Sequence, residues 1–553
     1  MMRSPISFAI ESEAAGEEVF VSLQARFPAR LEAAPPFRST YFDTFDWRLY
    51  RRGDTLAASS VEGGLILTWR AAETSSALRL RSSEVPAFAC DFPLGPFRDD
   101  LAAIIEMRRL LPVVTLETNG RLLRLLDSQD KTVARAIFQE ARAADPDGYH
   151  SPRALPAMLR ILPVRGYDAQ HEAVVRFVET GMRLARVEGS ELSLAAAAIG
   201  RTPGDYSSKL RLELEPTMRV DEATRLIHRT LLATIQTNED GTRRNLDSEF
   251  LHDFRVAVRR TRAALRQIKG VYPPEIVDRF SDEFRWLGQI TGPTRDLDVY
   301  LLKMVDYAAA LPSRVAEDLQ PLVQFLGRRQ REEQGRLARS LSEGRYRALI
   351  RSWRELLEQP APPETGLPNA QRPIREVASE RIWKVYRKVR NSGRAVGLHT
   401  PPAALHRLRI ECKKLRYLLE FFRSLYDTDR IELLVDALKK LQDNLGDFND
   451  YVVQQNKLRL FGDQMLGSGT TPAETLMAMG RLVERLEAGE AEERRRFAKR
   501  FKQFAARKNH AVFKSLFKSS RGAARVAPAA AAGGVAGSPD LAIAPIPQRQ
   551  DPT

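Results

Sequence analysis

Residues 251–267 read LHDFRVAVRRTRAALRQ, a single histidine, His252, followed by a run of arginines. At 3.6 residues per helical turn, four of these arginines fall within a quarter-turn of His252. Phe254 and Val258 fall on the opposite side. The stretch therefore predicts an amphipathic helix with one core face and one basic face. The basic face is a ladder of guanidinium groups, namely Arg255, Arg259, Arg262 and Arg266.

The same spacing occurs a second time, in residues 405–416, which read LHRLRIECKKLR. The second ladder consists of His406, Arg409, Lys413 and Arg416. Each histidine precedes an aspartate by 44 residues, Asp296 in the first case and Asp450 in the second. The pattern predicts an internal repeat. Each repeat has a ladder helix, then a helix ending in Leu-Gly, then acidic or amide residues that open the next helix.

The acidic and amide residues of each repeat are expected to support the ladders, either by orienting the arginines or by capping helix starts. They are Asp296, Asp298, Asn449 and Asp450, with Arg295 and Asp447 beside them. Metal binding by His252 and Asp296 is the alternative. The many cations nearby oppose a metal ion, and no third ligand is evident, so no metal site is expected.

Two ladders of one charge indicate a ligand that resembles polyphosphate. Guanidinium groups form bidentate, charge-assisted hydrogen bonds with phosphate oxygens, and one helical turn, ~5 Å, roughly matches successive phosphates. The alternative is a solvated helix face, but such faces usually mix charges of both signs. Each histidine is expected to donate to a ligand oxygen, with its pKa raised by nearby anions. Both ladders should face one shared cavity.

The composition agrees with an anionic partner. The chain has 553 residues, a formal charge of +15 and 43% hydrophobic residues, enough to bury proper cores. Such a basic balance points to nucleic acid, an anionic membrane or polymeric phosphate. Cys90 and Cys412 make neither a disulfide framework nor a metal cluster. No apolar run of about 18 residues occurs, so no transmembrane segment and a cytoplasmic location are expected. The sequence specifies no oligomeric state.

The organisation of the chain changes near residue 216. Residues 1–216 predict an α+β domain with an antiparallel sheet, with strands near 19–22, 65–69, 113–116, 134–139, 159–164 and 210–214 and helices near 97–111 and 171–187. Residues 219–358 predict a first helical lobe, with a turn at 238–241, and residues 374–518 a second lobe. Residues 359–373 contain five prolines, four of them before Gln371, and predict a linker. The Ala/Gly/Pro-rich tail, 522–553, is expected to be disordered.

Four motifs in order resemble the CHAD family, over residues 219–518. They are HDFRVAVRRTR from His252, RDLD from Arg295, HRLR with KKLRY from His406, and LGDFND from Leu445. The resemblance implies two pseudo-symmetric four-helix bundles and a basic cavity that binds inorganic polyphosphate and targets the protein to polyphosphate granules. The residues that it implies as ligand contacts are His252, Arg255, Arg259, Arg260, Arg262, His406, Arg409, Lys413, Lys414 and Arg416.

The N-terminal part resembles a degenerate CYTH domain, a β-tunnel that hydrolyses triphosphates with a divalent metal. Residues 41–46 and 51–53 match its strand and turn, and 210–215 resemble a late acidic strand. The opening motif lacks its lysine, however, and residues 56–59 read LAAS where the family has two arginines. No catalytic residue and no cofactor are therefore expected; Mg²⁺ or Mn²⁺ would be needed only by an active domain. The charges left for a remnant tunnel are Arg70, Arg79, Arg81, Glu84, Glu213 and Glu215.

The leading hypothesis is a non-catalytic polyphosphate-binding protein. The first alternative is a metal-dependent inorganic triphosphatase, which the lost lysine and arginines disfavour. The second is an RNA-binding module, suggested by Arg381, Lys384 and Lys388 on one helix face, with Trp383 and Tyr386 nearby. These three cations are alternatively a third wall of the cavity.

Overall fold

The computed structural model describes residues 5–10, 13–72, 77–148, 151–187, 189–309, 311–364, 366–397, 399–467, 469 and 471–518. An antiparallel sheet domain comes first and an all-helical region follows it, which confirms the predicted α+β class. The tail for which disorder is predicted, 522–553, lies outside the described residues.

The sheet domain contains nine strands and four α-helices in the described residues. In chain order they are β1 (Ile6–Ile10), α1 (Glu13–Arg26), β2 (Ala29–Asp43), β3 (Thr55–Val61), β4 (Gly64–Arg70), β5 (Ala77–Ser82), α2 (Pro96–Ile105), β6 (Leu111–Leu126), β7 (Thr132–Ala144), β8 (Arg153–Ala154), β9 (Ala157–Pro163), α3 (Asp168–Arg176) and α4 (Glu191–Ala198). The strand order is β1-β9-β7-β6-β2-β3-β4-β5, and β8 pairs with β7. All pairs are antiparallel, and the β6–β7 hairpin places Leu123 opposite Ala136 in the core.

Two strands expected from the sequence do not form. Residues 19–22 read VFVS, which favours a strand locally, but they lie in α1, where Phe20 is buried against the sheet. Residues 210–214 belong to no strand, because Leu212 and Leu214 pack into the core of the helical region instead. In both segments, tertiary packing overrides the local preference. The expected helix at 97–111 is shorter and ends at Ile105, whereas the one at 171–187 is α-helical to Arg176 and continues as a π-helix from Phe177 to Gly181.

The helical region runs from residue 220 to residue 517. Its helices are α5 (Val220–Arg244), α6 (Ser248–Gln267), α7 (Pro274–Ile290), α8 (Gly292–Ala309), α9 (Ser313–Glu317), α10 (Gln320–Ser342), α11 (Gly344–Glu358), α12 (Ile374–Arg394), α13 (Pro402–Phe421), α14 (Thr428–Gly467), α15 (Ala473–Phe504) and α16 (Arg507–Phe517). The first ladder lies on α6 and the second on α13. The end of the predicted linker is packed, since the backbone N–H of Asp221 donates to the carbonyl of the buried Ala370, at 3.0 Å.

Two predictions of helix ends are wrong. The turn expected at 238–241 lies inside α5, where Gly241 allows the Phe250 ring of α6 to pack closely. In the second repeat no helix ends at Leu445-Gly446, because α14 is continuous over 40 residues. The first repeat divides the corresponding segment into α7 and α8 at Thr291. Asn449 and Asp450 therefore lie in the middle of a helix and cannot cap its start.

The two repeats share their cores. The larger core joins apolar residues of α5–α7 to those of α12–α14, and the smaller one is built from α8, α10, α14 and α15. At the smaller core, Lys457 of the second repeat contacts Asp296 of the first. Lys303 of the first repeat lies 3.7 Å from Asp450 of the second. Such reciprocal pairs are what a two-fold relation between repeats produces.

The sheet domain is attached to the helical region through a buried arginine, Arg108, which is 2% exposed. Its guanidinium lies 3.4 Å from Asp46, 3.3 Å from Asp247 and 3.0 Å from Asp253. Asp247 also caps α6, accepting from the N–H groups of Glu249 and Phe250. The sheet domain thus holds the end of the helix that carries His252.

Candidate functional site

The ladders meet at a cavity of about 570 Å³ between α6, α13 and α14. Its charged lining comes from both repeats and comprises His252, Arg259, Arg260, Arg409, Lys413, Arg416, Glu420, Asp443, Asp447 and Asp450. Five cations and four carboxylates face this space, so it is less basic than the ladders alone suggest. Residues of both ladders nevertheless line one common cavity, as expected from their matching spacing.

The first ladder is divided between the cavity and the neighbouring helix. Arg259 lines the cavity, whereas Nη1 of Arg255 donates to the Gly288 carbonyl, at 2.9 Å, and to Thr291 Oγ1, at 2.7 Å. Burial, and then the charge of Arg259, lowers the pKa of Arg255 to about 10. The pKa of Arg262 is lowered by burial, Arg266 and Arg285. The arginines of this ladder repel one another; Asp296 offsets part of this repulsion at Arg255, whereas the charged groups that shift the pKa of Arg262 are both cations.

The second ladder is partly neutralised by carboxylates. Glu420 accepts from Arg416 Nε at 2.6 Å and from Arg260 Nη2 at 2.8 Å, while Arg409 lies 3.7 Å from Asp450. Lys413 forms no ion pair in the described part of the chain. Burial, followed by the charges of Arg409 and Arg259, lowers its pKa to about 8.

The two ladder histidines make opposite hydrogen bonds. Nδ1 of His252 accepts from Arg295 Nη2 at 2.9 Å, because a guanidinium can only donate. Nδ1–H of His406 donates to Asn449 Oδ1 at 2.6 Å, and this histidine is exposed outside the cavity. The protein's own groups shift the pKa of His252 in the direction opposite to that expected beside a bound anion. Burial, and then Arg295, lowers its pKa to about 4.

Lys414 faces away from the cavity, into a second groove of about 740 Å³ between α12 and α13, here named the α12 groove. Its cations are Lys269, Arg381, Lys384, Arg387, Lys388 and Lys414, with Glu411 as its one acid. The three cations that the sequence places on one helix face, Arg381, Lys384 and Lys388, therefore lie together in the structure. They line the α12 groove and do not form a third wall of the cavity. Lys388 lies 3.0 Å from Glu411, and the Trp383 ring packs beside Tyr386.

The supporting acids differ in their contacts, and Asp450 lies 3.7 Å from a ladder arginine, Arg409. Asp298 is buried and accepts from Gln330 of α10 at 2.9 Å, so it orients no ladder arginine. Burial raises the pKa of Asp298 to about 6. Asp296 pairs with Lys457, and Asp450 lies between Lys303 and Arg409.

Sequence reasoning missed two acids of the cavity, Glu420 and Asp443. Glu420 lies one helical turn after Arg416 on α13, a spacing typical of a helical ion pair and the signal that could have identified it. Asp443 lies one turn before Asp447 on α14, but its position facing the cavity depends on the packing of α14 against α13.

The six charged residues that the sequence offers for a remnant tunnel, Arg70, Arg79, Arg81, Glu84, Glu213 and Glu215, do not form a cluster in the sheet. All six are exposed, and Glu213 and Glu215 lie in the segment that packs on the helical region. Arg81 donates to the Glu62 carbonyl at 2.7 Å. Within the described residues, no three His, Cys, Asp or Glu side chains are grouped so as to hold a metal ion. No described helix has the length and apolar character to cross a bilayer.

Solved structures similar to this chain fall into two groups. The CHAD domain from the plant Ricinus communis is 25% identical, with a TM-score of 0.46, and the match covers 54% of this chain and 96% of that one. PptA from Streptomyces chartreusis is 13% identical, with a TM-score of 0.41, covering 52% and 100% of the two chains. A Bacillus halodurans protein provisionally named an adenylate cyclase is 13% identical, with a TM-score of 0.24, covering 34% and 94%.

No curated protein matches the chain significantly. The family model of the CHAD domain matches residues 226–459, from within α5 to within α14. The matched segment includes both ladders, the α7–α8 junction and every residue that lines the cavity. Residues 226–459, which make up less than half of the chain, therefore match the CHAD domain family.

Proposed function

We propose that this chain binds inorganic polyphosphate in the cavity between α6, α13 and α14, without catalysing its hydrolysis. The observation that carries the proposal is the approach of Arg259 and Lys413, one from each ladder, in a single cavity. An anion between these two side chains would stabilise both charges, because neither side chain forms an ion pair in the described residues. Burial, followed by the charges of Arg409 and Arg259, depresses the pKa of Lys413.

The chemistry of the cavity favours a polymer of phosphates over a single small anion. Cations from two helices surround the space, and arginine and lysine bind phosphate oxygens through charge-assisted hydrogen bonds. Further arginines, Arg255 and Arg262, continue along α6 beyond the cavity lining. The resemblance to CHAD domains points to the same ligand, and with it to a cytoplasmic protein located at polyphosphate granules.

The test is a titration with long-chain polyphosphate at fixed salt. We expect Arg259→Ala with Lys413→Ala to weaken binding at least tenfold and to reduce its dependence on salt concentration. The matched control, Arg351→Ala with Arg354→Ala, removes two exposed cations from α11, outside the cavity. Equal affinity of the two variants would contradict the proposal.

The sheet domain is proposed to be a non-catalytic CYTH-like domain. At the two positions where that family has arginines, β3 offers Ala57 and Ser59, and Ala57 is buried in the sheet domain's apolar core. Loss of these charges removes groups that would stabilise a phosphoryl transition state. Release of phosphate from tripolyphosphate with Mg²⁺ or Mn²⁺, abolished by Glu213→Ala, would favour the triphosphatase alternative instead.

RNA is the second candidate ligand, and the α12 groove is the observation that favours it. Six cations and one acid line this groove together with Trp383, and single-stranded nucleic acid is bound by such combinations of cations and aromatic rings. Lys384→Ala with Arg387→Ala should weaken RNA binding and leave polyphosphate binding in the cavity unchanged. If polyphosphate displaces all bound RNA and the Lys384/Arg387 double variant binds RNA normally, the groove is not an RNA site.

A further inference from the structure

The two halves of the cavity carry different charges, although the repeats that form them are related. His252 and His406 occupy equivalent positions in the two repeats. The same separation along the sequence makes Arg262 equivalent to Arg416, and Gly288 equivalent to Gln442. Arg416 Nη1 lies 3.4 Å from Gln442 Oε1. Arg262 Nη1 lies beside Gly288, where a Cβ atom would be 3.7 Å away. Equivalent arginines of the two repeats therefore lie against equivalent helices. A difference in charge at other equivalent positions can thus be compared directly between the two sides of the cavity.

The second repeat is acidic at three cavity positions, Glu420, Asp443 and Asp447. Partial desolvation, and then the charges of Glu493, Asp450 and Asp443, raises the pKa of Asp447. Glu420 already pairs with two arginines. Asp443 and Asp447 instead lie one turn apart on α14 and form an acidic wall at the cavity edge.

The first repeat has no acid at the same three positions. The equivalents of Glu420, Asp443 and Asp447 are Arg266, Gln289 and Pro293. Arg262 forms no ion pair within the residues that the structure describes, and the charged neighbours that shift its pKa, Arg266 and Arg285, are both cations. A phosphate chain along α6 and α7 would therefore meet cations, and along α14 it would meet two carboxylates.

We infer that Asp443 and Asp447 determine the path of the polyanion: they exclude it from the α14 wall and confine it to the side of α6 and α7. The inference rests on the proposed function, since it concerns the same cavity and ligand. The acids act by repulsion, which rejects a polyanion from one of two related surfaces at some cost in its total affinity.

The experiment measures the affinity of the full chain for long-chain polyphosphate at low, fixed salt. Asp443→Asn with Asp447→Asn should bind about fivefold tighter, because two like charges near the ligand are removed. The control, Asp436→Asn with Asp463→Asn, makes the same change of net charge at exposed positions of the same helix that do not line the cavity. Its affinity should stay within about twofold of wild type.

A second pair of variants tests the path itself. Arg262→Ala with Arg266→Ala should weaken binding at least tenfold, whereas Lys439→Ala with Lys440→Ala, two exposed cations of α14, should have little effect. Equal affinities of the Asp443/Asp447 variant and its control, or a larger loss from the lysine pair than from the arginine pair, would overturn the inference. Absence of polyphosphate binding by the wild-type chain would instead overturn the proposed function, and this inference with it.

Discussion

Arg295 Nη2 lies 2.9 Å from Nδ1 of His252, at the position where the second repeat has Asn449 against His406. Because Arg295 can only donate, whereas the amide oxygen of Asn449 accepts, the two histidines take opposite roles in these hydrogen bonds. His252 must accept and keeps its proton on Nε2, while His406 donates from Nδ1. One member of the related pair is therefore held neutral and can offer a ligand a single Nε2–H donor.

The first prediction follows from that contact. Arg295→Asn should raise the pKa of His252 from about 4 towards its ordinary value, because Arg295 is the largest charged contribution to the shift. The pKa will not return fully, since burial is the first cause and remains. NMR titration of the imidazole resonances measures it. Lys303→Asn, a cation change on the same helix away from His252, is the control, and an unchanged His252 pKa in Arg295→Asn would refute the account.

Acid stability should depend on His228, which is fully buried between aromatic rings. Burial lowers its pKa to about 4. As the pH falls below about 6.5, the unfolded chain takes up a proton that the folded chain refuses until about pH 4, so the free energy of unfolding falls across this window. His228→Leu should remove about 1 kcal/mol per pH unit of that slope. Urea unfolding at several pH values is the measurement, and an identical slope in wild type and variant would contradict the prediction.

Removal of the buried cation between the domains should be strongly destabilising. Arg108→Met leaves Asp46, Asp247 and Asp253 close together without their shared partner, a change expected to cost roughly 3–5 kcal/mol. The neighbouring Arg109→Met is the control, because the guanidinium of Arg109 lies over the Phe88 ring and forms no ion pair in the described residues. Denaturant unfolding measures the free energy of unfolding of both variants. Similar values for the two would argue against a stabilising role of the buried Arg108 network.

Two glycine substitutions should have opposite effects on stability. A Cβ atom at Gly241 would overlap the Phe250 ring, so Gly241→Ala should force α5 and α6 apart and cost about 1–3 kcal/mol. At Gly480 of α15 nothing lies within 4 Å of the added carbon, and Gly480→Ala should stabilise by about 0.5–1 kcal/mol through helix propensity. Thermal unfolding compares them directly. A stabilised Gly241→Ala would show that the α5–α6 packing is looser than described.

Periodicity accounts for most of what the sequence predicted correctly. A ladder such as 251–267 depends only on the 3.6-residue turn, which is a local property, so both ladder helices and their related spacing could be predicted. Helix ends were less predictable. Asn238 and Gly241 favour a turn in isolation, but in the fold their helix continues because Phe250 packs against the glycine.

The sequence by itself determined the repeat, the helical class and the two sets of cations, because each is encoded by residues within a few turns of one another. The tertiary structure alone decided which charges meet. Glu420 neutralises Arg260 across 160 residues, Lys414 faces a different groove from Lys413, and Arg108 reaches the cap of α6 from another domain. These contacts depend on how helices cross and domains dock, and Coulomb interactions follow distance in space, which spacing along the chain does not specify.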